Sequence, residues 1–169
     1  LGIIGIAILL LVIEIIANVW WVTQIHCEFE QNEIFQNFDE VEKRQLCLDF
    51  YDLKTSGDEL IPNQSTNSIT INGLGFRGAE FLTIKPPDTY RIFMVGGSTM
   101  FGAGETSDET TIPGILQKIF DSDNSNLKKI EVINAGFSGG SSDSELNLIK
   151  QKLVHYQPDL VIVYDGWND

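Results

Sequence analysis

Residues 1–22, LGIIGIAILLLVIEIIANVWWV, are apolar with Glu14 as the one charge. A run of this length is enough for a bilayer core, which takes about 20 residues. It predicts a membrane helix with Trp20 and Trp21 in a headgroup layer and Glu14 leaning from the Trp end toward water. A cleaved signal peptide is the other reading, but it needs a small-residue cleavage site, and Asn18–Val22 offers bulky indoles. Beyond residue 28 the pattern is mixed. Ile34, Phe35, Phe38, Val41, Leu46, Phe50 and Leu53 recur near helical spacing among acids, which predicts an amphipathic helix packed on its own domain. Thr55–Glu59 and Pro62–Ser68 read as loops, and Ile69–Ile71 as a short strand leading into glycine turns up to Gly78. Lys85-Pro-Pro-Asp88 reads as a hinge.

From Thr89 the pattern sharpens. Tyr90–Val95, Ile130–Asn134 and Leu160–Tyr164 are short apolar runs, each ending in a glycine-containing turn. Between the first two, Ile112, Ile115, Leu116, Ile119 and Phe120 follow a helical period, with Pro113 tolerated in the first turn. Between the second and third, Ser142-Asp-Ser-Glu145 has capping-box spacing and leads into Leu146, Ile149, Leu153 and Val154, stopped by Pro158. Alternating strands and helices with near-continuous apolar strands predict an α/β fold: a parallel sheet covered on both faces. The divisions expected are a membrane helix at 1–22, an extension at 23–88 and the α/β domain at 89–169.

In such sheets, sites lie outside the carboxyl ends of the strands. Ser98, Gly136 and Asn168 each follow a different strand end. A serine on a tight strand-to-helix turn projects its hydroxyl and its own N–H into one space, which makes Ser98 a candidate nucleophile. Gly136 lets backbone approach closely, and the Asn168 amide adds a donor, so the three can form an oxyanion hole. The bland alternative for Ser98 is a plain helix N-cap.

Charge and composition narrow the chemistry. Across 169 residues, 24 acids against 11 Lys and Arg give a net charge of −13. The basic footprint of a nucleic-acid binder is missing, and anionic headgroups are disfavoured for the same reason. Two Cys and two His without paired spacing make no structural zinc site and no disulfide scaffold. No Gly-Lys-Ser/Thr and no Gly-x-Gly-x-x-Gly follows the first strand, so no nucleotide cofactor, and no other cofactor, is expected. Residues 28–47 hold six acids against Lys43 and Arg44, a flank that the positive-inside bias places outside the cytoplasm. In an oxidising compartment Cys27 and Cys47 could pair.

At these positions the chain resembles the SGNH (GDSL-type) hydrolase family. Gly96-Gly97-Ser98-Thr99 is similar to its first block, Asn134-Ala135-Gly136-Phe137-Ser138-Gly139 to its second and Gly166-Trp167-Asn168-Asp169 to its third. The resemblance covers about residues 90–169. It implies a flavodoxin-like three-layer α/β/α sandwich in truncated form, Ser98 as nucleophile, and an oxyanion held by the Ser98 and Gly136 N–H groups and the Asn168 side chain. Gly97 departs from the Asp that many members carry before the serine. The family's Asp-x-x-His block, source of the base and its orienting acid, has no counterpart up to Asp169. His26 lies at the end of the anchor and His155 ahead of the third strand, away from the strand carboxyl ends; neither is placed to reach Ser98. Asn72–Gly78 resembles a segment that precedes the first block in some membrane-anchored members, and Arg77 within it is expected to be a surface or packing residue.

The expectation is a single-pass membrane protein whose extracytoplasmic domain is a serine esterase, cleaving an acyl or O-acetyl ester of a small molecule, glycan or lipid through Ser98. The alternative is a non-catalytic or acyl-transfer accessory envelope protein that binds an acylated polymer. With Leu1 in place of Met and the Asp-x-x-His block missing, the expectation is that the 169 residues are a fragment, inactive alone for want of a base.

Overall fold

A computed structural model describes residues 2–23, 35, 38–123 and 128–164. Residues 1–37 and 38–169 form two separate compact units. In the first, α1 spans Gly2–Thr23, and its side chains over 4–20 are exposed all round. Among the described residues no helix is long and apolar enough to cross a membrane.

The second unit takes in most of the expected extension. Helix α2, Glu40–Tyr51, starts at Asp39, whose carboxylate accepts from the Val41 and Glu42 N–H groups while Glu42 reaches back to the Asp39 N–H. The helix is shorter than the apolar pattern predicted. Val41 points to solvent, while Phe35 ahead of the helix and Leu46 within it are buried. Phe50 and Leu53 pack with Ile69, Ile71 and Phe101. Ile34 lies outside the described residues. Two small antiparallel ribbons follow, β1 (Thr55–Ser56) with β2 (Glu59–Leu60) and β3 (Gln64–Ser65) with β4 (Thr70–Ile71).

The main sheet is built from β5 (Thr89–Gly96), β6 (Lys129–Gly136) and β7 (Leu160–Tyr164), all parallel and in the order β6-β5-β7. Between β5 and β6 come the one-turn helix α3 (Ser98–Phe101) and α4 (Ile112–Ser122). Between β6 and β7 comes α5 (Ser142–Gln151), followed by a 3₁₀ turn at Leu153–Tyr156. Alternate residues of a strand face opposite sides, and the core divides accordingly. Ile92, Met94, Ile130, Val132 and Ile162 pack with Leu116 and Phe120 of α4. Phe93, Val95, Ile133, Ala135 and Val161 pack with Leu148 and Ile149 of α5. Helices therefore flank a three-stranded parallel sheet on both faces, compatible with a flavodoxin-like fold.

The helix starts refine the sequence reading. In α4, Thr111 is the N-cap, accepting from the Gly114 N–H, and Pro113 sits in the first turn. In α5 the capping box is shifted by one residue from the expected spacing. Ser141 is the N-cap and pairs reciprocally with Ser144, which leaves Glu145 buried in the first turn.

Charged groups close the base of the sheet. Arg91, in the central strand, has a fully buried side chain. Its guanidinium donates to Glu131 at 2.9 and 3.0 Å and to the Tyr156 and Leu82 carbonyls at 2.8 Å each. Asp159 accepts from the Arg91 N–H at 2.7 Å and from Lys85 Nζ at 2.6 Å. The expected hinge at Lys85 is thus tied to the start of β7. At the outer edge of the sheet, the Gln117 side chain of α4 accepts from the Val132 N–H at 2.7 Å and donates to the Ile130 carbonyl at 3.0 Å.

Candidate active site

Sheet register defines where the candidate residues sit. Gly96 is the last residue of β5 and pairs with Gly136 on one side and Tyr164 on the other, so the three strands end on one line. Ser98 follows this line as the first residue of α3. Its N-cap is Gly97, with no side-chain cap bond, so Ser98 is not the plain N-cap of the alternative reading. The Ser98 side chain is half-buried, and its hydroxyl makes no hydrogen bond to a described residue. Asn168, four positions beyond Tyr164, and the rest of 165–169 lie outside the described residues.

A single helical turn is unstable alone, because nucleation fixes several residues for one hydrogen bond. The surroundings of α3 supply what the turn lacks. The Phe101 N–H donates to Gly97 O at 3.0 Å, and the Gly102 and Ala103 N–H groups close on Ser98 O at 2.9 and 3.0 Å. Gly102 ends the helix at φ +87°, and a Cβ there would press on Thr111 and come within 3.2 Å of Arg77 Nη1. Beneath the turn lies Gly136, where a Cβ would collide with the Phe101 N–H and lie 2.7 Å from the Met100 carbonyl carbon. The glycine is there because α3 rests on it.

The Gly136 N–H, expected as an oxyanion donor, donates to Asn134 Oδ1 at 3.0 Å in this structure, and the residue also lies under the turn as a seat for α3.

Of the two roles expected of Arg77, surface or packing, the structure shows the packing one: its side chain is fully buried. The Asn72–Gly78 loop explains how it gets there. The Asn72 side chain accepts from the Leu74 and Phe76 N–H groups at 3.0 Å each and donates to Ala79 O at 3.0 Å, winding the loop around itself. Phe76 then enters the core beside Phe93, and Arg77 enters beneath α3. Its Nη1 donates to Gly102 O at 2.7 Å and Phe101 O at 3.1 Å, its Nη2 to Ser68 O at 2.9 Å, and its Nε to Asp108 at 2.8 Å. The Phe101 ring lies against it, 5.0 Å from the guanidinium carbon. Burial pulls the guanidinium below its ordinary value, and Asp108 opposes that pull. Asn134 completes the arrangement by donating to Phe101 O at 3.1 Å.

His155 sits in the 3₁₀ turn ahead of β7, exposed. Leu160 at the start of β7 pairs with Ile92, and Tyr164 at its end with Gly96, so the imidazole belongs to the end of the sheet opposite Ser98. His26 lies outside the described residues. Among the described residues no cluster of three or more His, Cys, Asp or Glu could hold a metal ion. A cavity of about 520 Å³ runs along the outer side of β6, with Arg77, Asp108, Gln117 and Val132 among its walls and Ser98 not among them. Cys47 is disulfide-bonded; the sequence's other cysteine, Cys27, lies outside the described residues.

Comparison with protein-family models gives no match, and comparison with curated proteins gives none either.

Proposed function

We propose that this chain carries the nucleophile end of a serine ester hydrolase of SGNH type. The observation that carries the reading is the position of Ser98: a half-buried serine on a one-turn helix, just past the in-register ends of three parallel strands. Sites of open α/β sheets lie at such ends. The first N–H groups of a helix have no partner in the turn before them, so the Ser98 N–H supplies one oxyanion donor, the Asn168 amide a second, and the Gly136 N–H, which meets Asn134 Oδ1 in this structure, a third. The substrate is an acyl ester, and Ser98 Oγ attacks its carbonyl carbon as a base takes the hydroxyl proton. His155 is at the wrong end of the sheet, so the base belongs to a part of the protein other than the described residues.

The test is fluorophosphonate labelling of the natural full-length protein, with the labelled peptide identified by mass spectrometry. Ser98 is the expected site. Ser98→Ala should abolish labelling, and Asn168→Ala should lower ester turnover by about 10²-fold, as the loss of one oxyanion donor does. Full activity in both variants would overturn the reading. A non-catalytic or acyl-transfer accessory protein is the second reading, favoured by the absence of an imidazole facing Ser98 among the described residues. Acyl transfer to an acceptor without net hydrolysis, or no labelling at all, would select it.

The proposed location is a membrane, with α1 as a single-pass anchor and the domain outside the cytoplasm. The apolar run at 1–22 and the acidic flank at 28–47 in the sequence support it. Protease added to intact cells should digest the domain; complete protection would refute the topology.

A further inference from the structure

We infer that Arg77 is a positioning residue for Ser98, holding the one-turn helix α3 by its carboxyl end; the inference rests on the reading of Ser98 as nucleophile. The turn that carries Ser98 closes on the Ser98 carbonyl through the Gly102 and Ala103 N–H groups. The carbonyls at the other end of the turn, Phe101 and Gly102, face the interior, where water cannot satisfy them, and Arg77 Nη1 donates to both. A guanidinium presents its donors in a fixed planar fork, so fixing Nη1 fixes where Phe101 and Gly102 sit. That fork is itself immobilised by Asp108 and Ser68 O and by the Phe101 ring. Asp108 is in turn held by the Thr70 N–H, which donates to both of its oxygens at 3.1 and 3.2 Å.

The chain of contacts thus runs from the β3–β4 ribbon through Arg77 to α3. Gly136 bears on the turn from below and Arg77 grips it from the end, which leaves Ser98 little freedom. A lysine at 77 would carry the charge but only one nitrogen, and could not reach two carbonyls, Ser68 O and Asp108 together. The catalytic consequence follows from geometry, because misplacing a reacting group by about 1 Å can cost about 10²-fold in rate.

The experiment uses the full-length protein with Arg77→Ala and Arg77→Lys, and reads amide hydrogen exchange and Ser98 reactivity separately. The expected result is faster exchange at Gly102 and Ala103 by about tenfold or more, with the β5 amides of Phe93–Val95 unchanged, since local opening can be far cheaper than global unfolding. Fluorophosphonate labelling and kcat should fall by about 10²-fold with KM little altered, and Arg77→Lys should recover only part of either. Unchanged exchange at 102 and 103 in a folded variant would overturn the inference. So would equal acceleration throughout the sheet, or failure of both variants to fold, because Arg77 would then serve the whole fold and not the turn. Local loosening with unchanged labelling would overturn it too. If the wild-type protein is never labelled at Ser98 while the exchange result holds, the enzyme reading fails and the grip of Arg77 on α3 stands.

Discussion

Gln117 meets Val132 as a neighbouring strand would. Its side-chain oxygen takes the Val132 N–H at 2.7 Å, and its nitrogen serves the Ile130 carbonyl at 3.0 Å. β6 is an outer strand of the sheet, and outer strands with free N–H and C=O groups invite pairing with other chains. A helix-borne amide here removes two of those groups from the edge.

Gln117→Leu keeps the size and removes the bonds. It is expected to cost about 1 kcal/mol, the net worth of a typical hydrogen bond, since these groups are part-buried, and to produce concentration-dependent association. Thermal melting with sedimentation velocity checks both. An unchanged sedimentation coefficient with an unchanged melting temperature would show that the amide does not guard the edge.

Gly136→Ala should drive a methyl into the Phe101 N–H and the Met100 carbonyl carbon. Because those are backbone atoms, the turn has to move, at about 1–3 kcal/mol for overpacking. A lower melting temperature together with slower Ser98 labelling is the expected pair of results, read by calorimetry and probe kinetics.

Asp49 makes the second unit sensitive to acid. Desolvation pushes its carboxyl up, but hydrogen bonds from Ser68, Gln45 and Asn67 outweigh this and hold it below the ordinary value of 3.8. A group depressed in the folded state stabilises fully above its unfolded value, and that contribution is lost as pH falls through the folded value. Melting temperature should therefore be flat in this contribution above about pH 5 and decline below about pH 4. Asp49→Asn should flatten the acid limb and lower stability at neutral pH, because an amide cannot replace the carboxylate toward the Asn67 and Ser68 N–H groups.

Cys47 is disulfide-bonded, and Cys27 is the one other cysteine of the chain. Non-reducing peptide mapping should find the two in one linked peptide. Closing a loop of this size in the unfolded chain is worth about 3 kcal/mol, so reductant should lower the melting temperature. Free thiols at both positions in the purified protein would contradict this.

The three strands were legible because uninterrupted apolar runs bounded by glycine are what a doubly covered parallel sheet requires, and Ser98 followed from where the first of them stops. Arg77 was not legible. Three of its acceptors are the backbone carbonyls of Ser68, Phe101 and Gly102, which every residue possesses, so no side-chain pattern marks them. Its acid partner, Asp108, is 31 positions away. Gln117 hides for the same reason, since it pairs with backbone groups of β6. The cap of α5 was misplaced by one because Ser141 and Ser142 are adjacent serines and either fits the local pattern. That Gly136 also makes room for α3 is not legible either, because the Phe101 N–H and Met100 carbonyl carbon it accommodates are backbone atoms.

The central strand of the sheet is also the first one made. Arg91 of β5 meets Glu131 of β6 only 40 residues later and Asp159, which leads into β7, only 68 residues later. During synthesis at about 5–20 residues per second, β5 therefore emerges with both edges bare for seconds, and Ile92-Phe93-Met94-Val95 is the kind of apolar segment that stacks between chains. Arg91 is the one charge in this strand. Before its partners exist, it acts as a gatekeeper against stacking, and once Glu131 and the Tyr156 carbonyl arrive it becomes a buried anchor. The nascent chain's solubility and the finished sheet's base thus depend on one side chain at two different times.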